Sequence, residues 1–429
     1  MTRLAIIGTG YVGLTTGVCF AHLGHDVVCA DIDAQKVAKL SRGEVPIVEH
    51  RLDELLAEGL RKGNLRFVVG AAAAVADAEI VFLCVPTPQG DDGSADLSYV
   101  EAAAAEIASA LAYEAIVVNK STVPVGSTRV VERVLKRPDV RVVSNPEFLR
   151  EGSAVDDFLK PDRVVVGCED RSAAIAVGAL YDSVRAQVIV TDPASAETIK
   201  YAANAFLATK LSFVNAIAAI CEGVGADVDD VMVGMGYDKR IGTEFLRPGP
   251  GWGGSCFPKD SRALLNIANQ AGYQFDLLAG VIAVNDEQFD RVADKIRVGA
   301  GGSLQGATVA VWGLTFKART DDLRDSPSLS IIKRILAAGA TVQAYDPTVD
   351  AAAGPKPGLP SEVQVHADAI GATAGADVLA VLTEWDDFRW VMPEQVAAVM
   401  TGRVVVDGRN LLDRAAWQHA GFTHRGIGR

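Results

Sequence analysis

Apolar residues near the start of the chain fall in short blocks rich in branched side chains, RLAII, DVVCAD, EIVFLCV and AIVVN, each broken by glycine, proline or hydroxyl residues. Blocks of this length without strict alternation predict strands buried on both faces of a parallel sheet. Between the first two, Leu14 to Leu23 follow helical spacing, so the chain opens on a strand, a helix and a second strand. From about Ala194 to Asp290 the strand signals give way to helical patterns. One of them, SAETIKYAANAFLATKLSFVNAIAAICEGVG, begins with a Ser/Glu capping pattern, ends at glycine and exceeds the ~25 residues of an ordinary long helix. The C-terminal third then repeats the beginning: TVAVWG, a helical pattern from Ser326 to Ala338, and ATVQAYDP follow the order of LAIIGTG, helix and HDVVCAD. Aligning Gly24 with Gly339 places Asp31 opposite Asp346. The pattern predicts an α/β chain with domains at 1–193, 194–300 and 301–429, the outer two doubly wound and joined by a long central helix and a helical middle. Residues 347–362 read as a surface loop, and the last residues are expected to fray.

Composition narrows the function. A chain of 429 residues calls for roughly two to three domains. A net charge of -13 argues against nucleic acid or an anionic membrane as the main partner and leaves anionic small molecules to local basic residues. Cys19, Cys29, Cys84 and Cys221 lie in apolar runs, Cys168 closes another, and none shows metal-ligand or paired spacing, which suits a reducing cytoplasm. Strand-like residues begin at Leu4 with no charged leader before them, and no membrane span is expected.

The first turn carries chemistry. Gly8, Gly10 and Gly13 form GxGxxG between a strand and a helix: the first for the tight turn, the second for approach of a pyrophosphate, the third for helix packing. Asp31 ends the next strand, about 20 residues on, where an acid grips the adenosine ribose. A carboxylate there repels a 2′-phosphate, so this Rossmann-like domain should prefer NAD to NADP, with Lys36 in reach of the same ribose. Thr87 and Thr122 follow later strands, where nicotinamide and its ribose would lie, although either could simply cap a helix. Glu147 and Glu151, beyond another strand, would share a face if their segment is helical.

Two further groups stand out. Lys200 and Asn204 are four residues apart on the long helix among alanines and aromatics, where polar groups need partners or substrate; as a pair they could donate to an oxyanion, while Lys200 alone would more simply snorkel to water. FLRPGPGWGGSCFPKD presents Cys256 in a loop stiffened by Pro248, Pro250 and Pro258, with Gly253 and Gly254 clearing space ahead of the sulfur and Lys259 and Asp260 just behind it. Taken alone, this could equally be a surface loop with an incidental thiol. In the repeated domain the glycine turn is replaced by LTFKARTDDLRDSP, whose Lys317, Arg319 and Arg324, with Arg409 at a later strand end, suggest a different, phosphate-bearing ligand.

These motifs, GTGYVGL, STVPVGST, NPEFLREG, KYAANAFLATK, RIGTEFLRPGPGWGGSCFPKD, GLTFKARTDDLRDSPS and TEWDDF, span almost the whole chain, and in their order the sequence resembles the UDP-glucose/GDP-mannose dehydrogenase family, on the branch that acts on UDP-glucose. The resemblance implies oxidation of the sugar C6 alcohol to a carboxylate with two NAD molecules and no release of the aldehyde. It implies that Cys256 is the nucleophile, that Lys200 and Asn204 steady oxyanions, and that Asp260, Glu147 and Thr122 handle protons and water. By the same resemblance Gly8, Gly10, Tyr11, Val12, Gly13, Asp31, Lys36, Pro86, Thr87, Thr122, Glu151, Lys259 and Arg324 would contact NAD. Glu147, Phe148, Leu149, Arg150, Glu151, Lys200, Asn204, Phe245, Leu246, Gly253, Phe316, Lys317 and Arg409 would contact the nucleotide sugar, and Arg240 the sugar of a neighbouring subunit in a homodimer or higher oligomer. Relatives acting on GDP-mannose or N-acetylated UDP-hexosamines remain alternatives. So do a single-hydride dehydrogenase of the hydroxy-acid type and a nucleotide-sugar sensor without turnover.

Overall fold

The computed structural model describes residues 1–90, 95–352, 354 and 356–429. The chain divides into two compact units, Met1–Ala203 with Arg262–Gly272, and Asn204–Ser261 with Tyr273–Arg429. The helical stretch is thus shared between the units.

The first unit is built on an eight-stranded sheet in the order β3-β2-β1-β4-β5-β6-β7-β8. Its strands are β1 (Arg3–Ile7), β2 (Asp26–Asp31), β3 (Leu65–Val69), β4 (Ile80–Leu83), β5 (Ile116–Asn119), β6 (Arg141–Ser144), β7 (Arg163–Gly167) and β8 (Gln187–Thr191). All pairings are parallel except β6 with β7, which meet antiparallel at Ser144 and Gly167. The branched residues alternate between two cores. Leu4 and Ile6 join Leu14, Val18 and Phe20 of helix Tyr11–His22 on one face, while Ala5 and Ile7 join Val100, Ile107 and Val131 on the other. Sequence order reverses at β1 and β4, so the loops after these strands open on the crevice in which doubly wound sheets take ligands.

The long helix runs from Pro193 to Val224, 32 residues. The expected Ser/Glu cap takes another form: the Asp192 carboxylate accepts from the Ser195 amide at 2.8 Å and from its hydroxyl at 2.6 Å. Glu197 instead caps a different helix, Ser127–Leu135, accepting from the Gly126 amide at 2.6 Å and from the Thr128 amide and hydroxyl at 3.0 and 2.8 Å. The helix has the length and hydropathy of a membrane span. However, Glu197, Lys200, Asn204 and Asn215 are buried along it with protein partners, as in a core helix.

The second unit holds a six-stranded parallel sheet in the order β11-β10-β9-β12-β13-β14. Its strands are β9 (Thr308–Trp312), β10 (Thr341–Tyr345), β11 (Gln364–Val365), β12 (Val378–Val381), β13 (Val404–Asp407) and β14 (Thr423–Arg425). Counted from its first strand, this is the order of the first six strands of the other sheet, so the repeat read from the sequence is a repeat of topology. Val309 and Val311 pack with Ile331, Ile332 and Ile335 of helix Pro327–Ala337 and with Val292 and Ile296 of helix Asp276–Gly299. Trp312, Phe388 and Trp417 fill the opposite face. Residues 353 and 355 of the expected surface loop lie outside the described residues. The final residues do not fray: Ile427 is buried, the Gly428 amide donates to Glu222 at 2.6 Å, and Arg429 pairs with Asp229 at 2.7 Å.

Candidate active site

In the first unit the glycine turn is explained by its neighbours. Gly8 has φ +94°, and a Cβ there would lie 2.7 Å from the Cys84 carbonyl; at Gly13 it would lie 1.9 Å from the Gly8 carbonyl. At Gly10 it would meet nothing within 4 Å. Two of the three glycines therefore hold the turn together and the third leaves its outer side open, as a pyrophosphate requires. Asp31 accepts from the Thr9 amide at 3.0 Å, the Thr9 hydroxyl at 2.5 Å, the Asp33 amide at 3.1 Å and Lys36 at 3.0 Å. Partial burial pushes this carboxyl up, but the bonds win and hold it at about 2. It is an anion at working pH, and the Lys36 charge is engaged by it. This combination fits a ribose diol and disfavours a 2′-phosphate.

Tyr11 and Val12 open the helix behind the turn, Val12 packing on the core. Tyr11 donates to Glu49, a buried carboxylate that also accepts from the Gly152 amide at 2.7 Å. Glu49 thus ties the glycine turn to the 147–152 loop, and nothing in its sequence neighbourhood marked it for that task. After β4 and β5, Pro86 is exposed, and the half-buried Thr87 donates to the Thr122 carbonyl at 2.9 Å, so these two predicted residues are neighbours.

The 145–150 stretch is irregular, and the next helix begins only at Ala154. Glu147 and Glu151 therefore do not share a helical face: Glu147 is buried and Glu151 is half-exposed. Lys200 does not snorkel. It is buried, donating to the Glu147 carboxylate at 2.8 Å and to its backbone carbonyl at 2.7 Å, and its ammonium stands 5.4 Å from the Phe148 ring centre, whose face is also covered by Arg163 at 3.6 Å. Burial pushes the Glu147 carboxyl up. The Lys200 charge and bond, the Leu149 amide at 2.6 Å and the Lys120 charge more than offset this, and Glu147 stays below the usual carboxylate range. Arg150 is exposed and pairs with Asp157 at 2.6 Å.

In the second unit Cys256 immediately precedes helix Phe257–Gln270, and its carbonyl accepts from the Asp260 amide at 2.8 Å. The half-buried sulfur lies 3.6 Å from the Ser255 hydroxyl. One turn on, Asp260 is fully buried, accepting from Asn204 at 2.6 Å and from Lys259 at 2.6 Å. Lys259 thus serves the carboxylate as a partner.

The loop ahead of the cysteine is pinned from behind. Asn215 accepts from the Gly249 amide at 2.9 Å, Gln288 donates to the Gly249 carbonyl at 2.8 Å, and the Asn285 amide both accepts from and donates to the Trp252 backbone at 2.8 and 2.9 Å. The Trp252 indole donates to Ser212 at 2.9 Å. Gly253 and Gly254 make way for protein: a Cβ would lie 2.0 Å from the Asp325 carbonyl at the first and 2.8 Å from the Phe316 ring at the second. Phe245, at φ +61°, faces Phe257 with ring centres 6.4 Å apart, beside the buried Leu246.

The basic residues of the repeated domain have local partners. Arg409 donates to the Leu382 and Phe316 carbonyls at 2.8 and 3.1 Å and pairs with Glu384 at 3.0 Å. Lys317 lies 5.4 Å from the Phe316 ring centre. Arg324 pairs with Asp322, Arg319 with Asp386 and Arg240 with Asp238, all three arginines being exposed. Asp346 is where the repeat departs from its original. It is buried, accepting from the Leu314 and Thr315 amides at 2.7 and 3.1 Å, the Thr315 hydroxyl at 3.1 Å and the Trp385 indole at 3.2 Å. Its other oxygen accepts from the Thr348 amide and hydroxyl at 3.0 and 2.8 Å, and an acid buried with both oxygens engaged cannot grip a ribose.

The family profiles match in chain order. The UDP-glucose/GDP-mannose dehydrogenase family, NAD binding domain, matches residues 2–185, the central domain 194–287 and the UDP binding domain 310–414. The chain belongs to the UDP-glucose/GDP-mannose dehydrogenase family. Among family members, it is 45% identical to the UDP-glucose 6-dehydrogenase of Pseudomonas aeruginosa, over 100% of this chain and 97% of that one. The UDP-glucose dehydrogenase of the hyperthermophilic archaeon Pyrobaculum islandicum superposes with a TM-score of 0.90 at 37% identity, covering 100% and 98% of the two chains. The UDP-D-ManNAc dehydrogenase of Pyrococcus horikoshii does so with a TM-score of 0.87 at 28% identity, covering 100% and 99%. This family member is accordingly an NAD-dependent oxidoreductase, its first domain holding the cofactor as the Asp31 site requires.

Proposed function

We propose that the chain oxidises the C6 alcohol of UDP-glucose to the carboxylate of UDP-glucuronate through two hydride transfers at one thiol. NAD, when bound, supplies the hydride acceptor. Gly8, Gly10, Tyr11, Val12, Gly13, Asp31, Lys36, Pro86, Thr87, Thr122, Glu151, Lys259 and Arg324 would hold it. Phe148, Leu149, Arg150, Phe245, Leu246, Gly253, Phe316, Lys317 and Arg409 hold the nucleotide sugar.

Cys256 adds to the aldehyde carbon, forming a carbon–sulfur bond as the carbonyl oxygen takes a proton. This converts a weak hydride donor into a tethered thiohemiacetal whose second oxidation is intramolecular. Loss of the second hydride leaves a thioester; water adds to its carbonyl, sulfur leaves as thiol, and the carboxylate is released. Lys200 and Asn204 donate to the oxyanions of these steps. Asp260 and Glu147 take and return protons, with Thr122 helping to hold the water.

The observation that carries this reading is the bond from Asn204 to the buried Asp260 carboxylate, one helical turn past Cys256. Asn204 and Lys259 pair the buried carboxylate and so hold it ready one turn from the sulfur. Incubation with UDP-glucose and NAD should yield two NADH per sugar consumed, and Cys256→Ser should stall, losing at least roughly a thousandfold in turnover. One NADH per sugar, or an indifferent Cys256→Ser, would return the chain to the single-hydride class. A panel with GDP-mannose and UDP-N-acetylhexosamines ranks the substrates.

We also propose a homodimer or larger homo-oligomer working in the cytoplasm, with Arg240 reaching a neighbour's substrate. Support for assembly comes from an apolar stripe at seven-residue spacing on the long helix, where Phe206, Phe213 and Ile220 are 66%, 50% and 58% exposed. A soluble monomer seldom leaves such a stripe uncovered. Six cysteines without a disulfide support the reducing compartment.

A further inference from the structure

Lys120, which follows β5, is buried but takes no part in the scheme above. Its ammonium donates to the Asn145 side-chain oxygen and to the Tyr181 hydroxyl, both at 3.1 Å. Tyr181 donates to the same Asn145 oxygen at 2.8 Å, and the Asn145 amide is fixed to the Val165 carbonyl at 2.7 Å. Both acceptors are uncharged. A buried ammonium bonded only to neutral groups is expensive, and replacement by an apolar residue would be the simpler way to fill this space.

Its charged surroundings suggest why it is there. The ionisable groups it feels are Cys84 from β4, Glu147 from the loop after β6, and Lys200 from the long helix. Burial keeps the Cys84 thiol and the Tyr181 phenol neutral by pushing both far up, Cys84 to about 12. The partner that matters is therefore Glu147, itself bonded to Lys200. Asn145, which anchors Lys120, lies two residues before Glu147 in the same rigid stretch.

We propose that Lys120 is a positioning residue for the reaction, held against Asn145 two residues before Glu147 so that its buried charge favours the Glu147 carboxylate. This rests on the assignment of Glu147 and Lys200 to the chemistry. An opposite charge favours the ionised carboxyl. Burial pulls the Lys120 ammonium down to about 8, so the charge is present on the acid side and is lost as pH rises past that value.

The charge acts on the acid side, and this gives it a signature. Without it, the Glu147 carboxyl, which must be ionised, titrates higher, whereas at high pH the parent has itself lost the Lys120 charge. The test is kcat/KM for UDP-glucose with saturating NAD, as a function of pH, in Lys120→Met and Lys120→Arg. The expected result for Lys120→Met is an acid limb displaced upward by about half a pH unit, roughly threefold slower than the parent there, with the alkaline limb unmoved. Lys120→Arg, which keeps the charge, should leave the acid limb in place. A Lys120→Met profile lowered uniformly, or an arginine variant displaced as far as the methionine one, would overturn the proposal. Should Lys120→Met fail to fold, Lys120→Gln, which can still bond Asn145 and Tyr181, takes its place with the same expectation. Parent-like turnover in Lys200→Met would be a separate failure, removing these residues from the reaction whatever Lys120 does.

Discussion

Glu147 and Lys200 illustrate how burial changes the meaning of a side chain. In water such a pair would add little. Here the lysine and carboxylate side chains are 4% and 5% exposed, so removing one partner strands the other's charge. Lys200→Met should lower stability by about 3 kcal/mol in urea unfolding and abolish turnover. The double variant Lys200→Met with Glu147→Gln should regain most of the stability and none of the activity. A double variant as unstable as the single one would mean the pair is not the source of the loss. Asp31 gives a pH dependence. Its folded-state value, about 2, lies below the ordinary 3.8, so its contribution is fully present above about pH 4 and is lost as pH falls toward 2. The difference corresponds to ~2 kcal/mol at neutral pH. Asp31→Asn should lower the Tm at pH 7, flatten the acid limb of the stability curve, and weaken NAD binding measured by calorimetry.

At the scale of elements, the cysteine loop shows how much of the site could be read in advance. Glycine and proline density around Cys256 announced a stiff loop, and the i, i+4 spacing announced that Lys200 and Asn204 share a helix face. What the spacing could not give was partners. Lys200 met a carboxylate fifty-three residues away and Asn204 one fifty-six residues away, separations on which local periodicity is silent. Glu49 and Lys120 escaped notice for the same reason: each is a lone charged residue whose partners come within reach only once β1, β4, β5 and β6 stand side by side. Glu197 misled, since it follows Ser195 by two residues where a capping box needs three, and it serves another helix start near it in space. The glycines ahead of the sulfur yield a further expectation. With the Asp325 carbonyl 2.0 Å from where a Cβ would sit, Gly253→Ala should force the loop off its footing, costing roughly 1–3 kcal/mol by thermal unfolding and most of the turnover while secondary structure is retained. A variant with parent-like kinetics would mean the loop has slack.

For the molecule as a whole, the apolar periodicity announced two doubly wound domains, because that topology follows from buried strands alternating with helices; the strand orders and the antiparallel meeting of β6 with β7 came only with the structure. The proposed assembly rests on the long helix. The exposed stripe at Phe206, Phe213 and Ile220 localises the expectation: Phe213→Glu should shift sedimentation toward the monomer, and an unchanged sedimentation coefficient would place the subunit contact elsewhere. The two sheets share an order but not a chemistry, and Asp346 shows where they part. One oxygen of its carboxylate is taken by Leu314, Thr315 and Trp385 and the other by the Thr348 amide and hydroxyl. Transplanting the glycine turn of the first half into the second would therefore not create another dinucleotide pocket. The incoming turn could replace the Leu314 and Thr315 bonds, but the acid would stay buried behind Thr348 and Trp385, so exchange of one loop leaves a ribose nothing to hold.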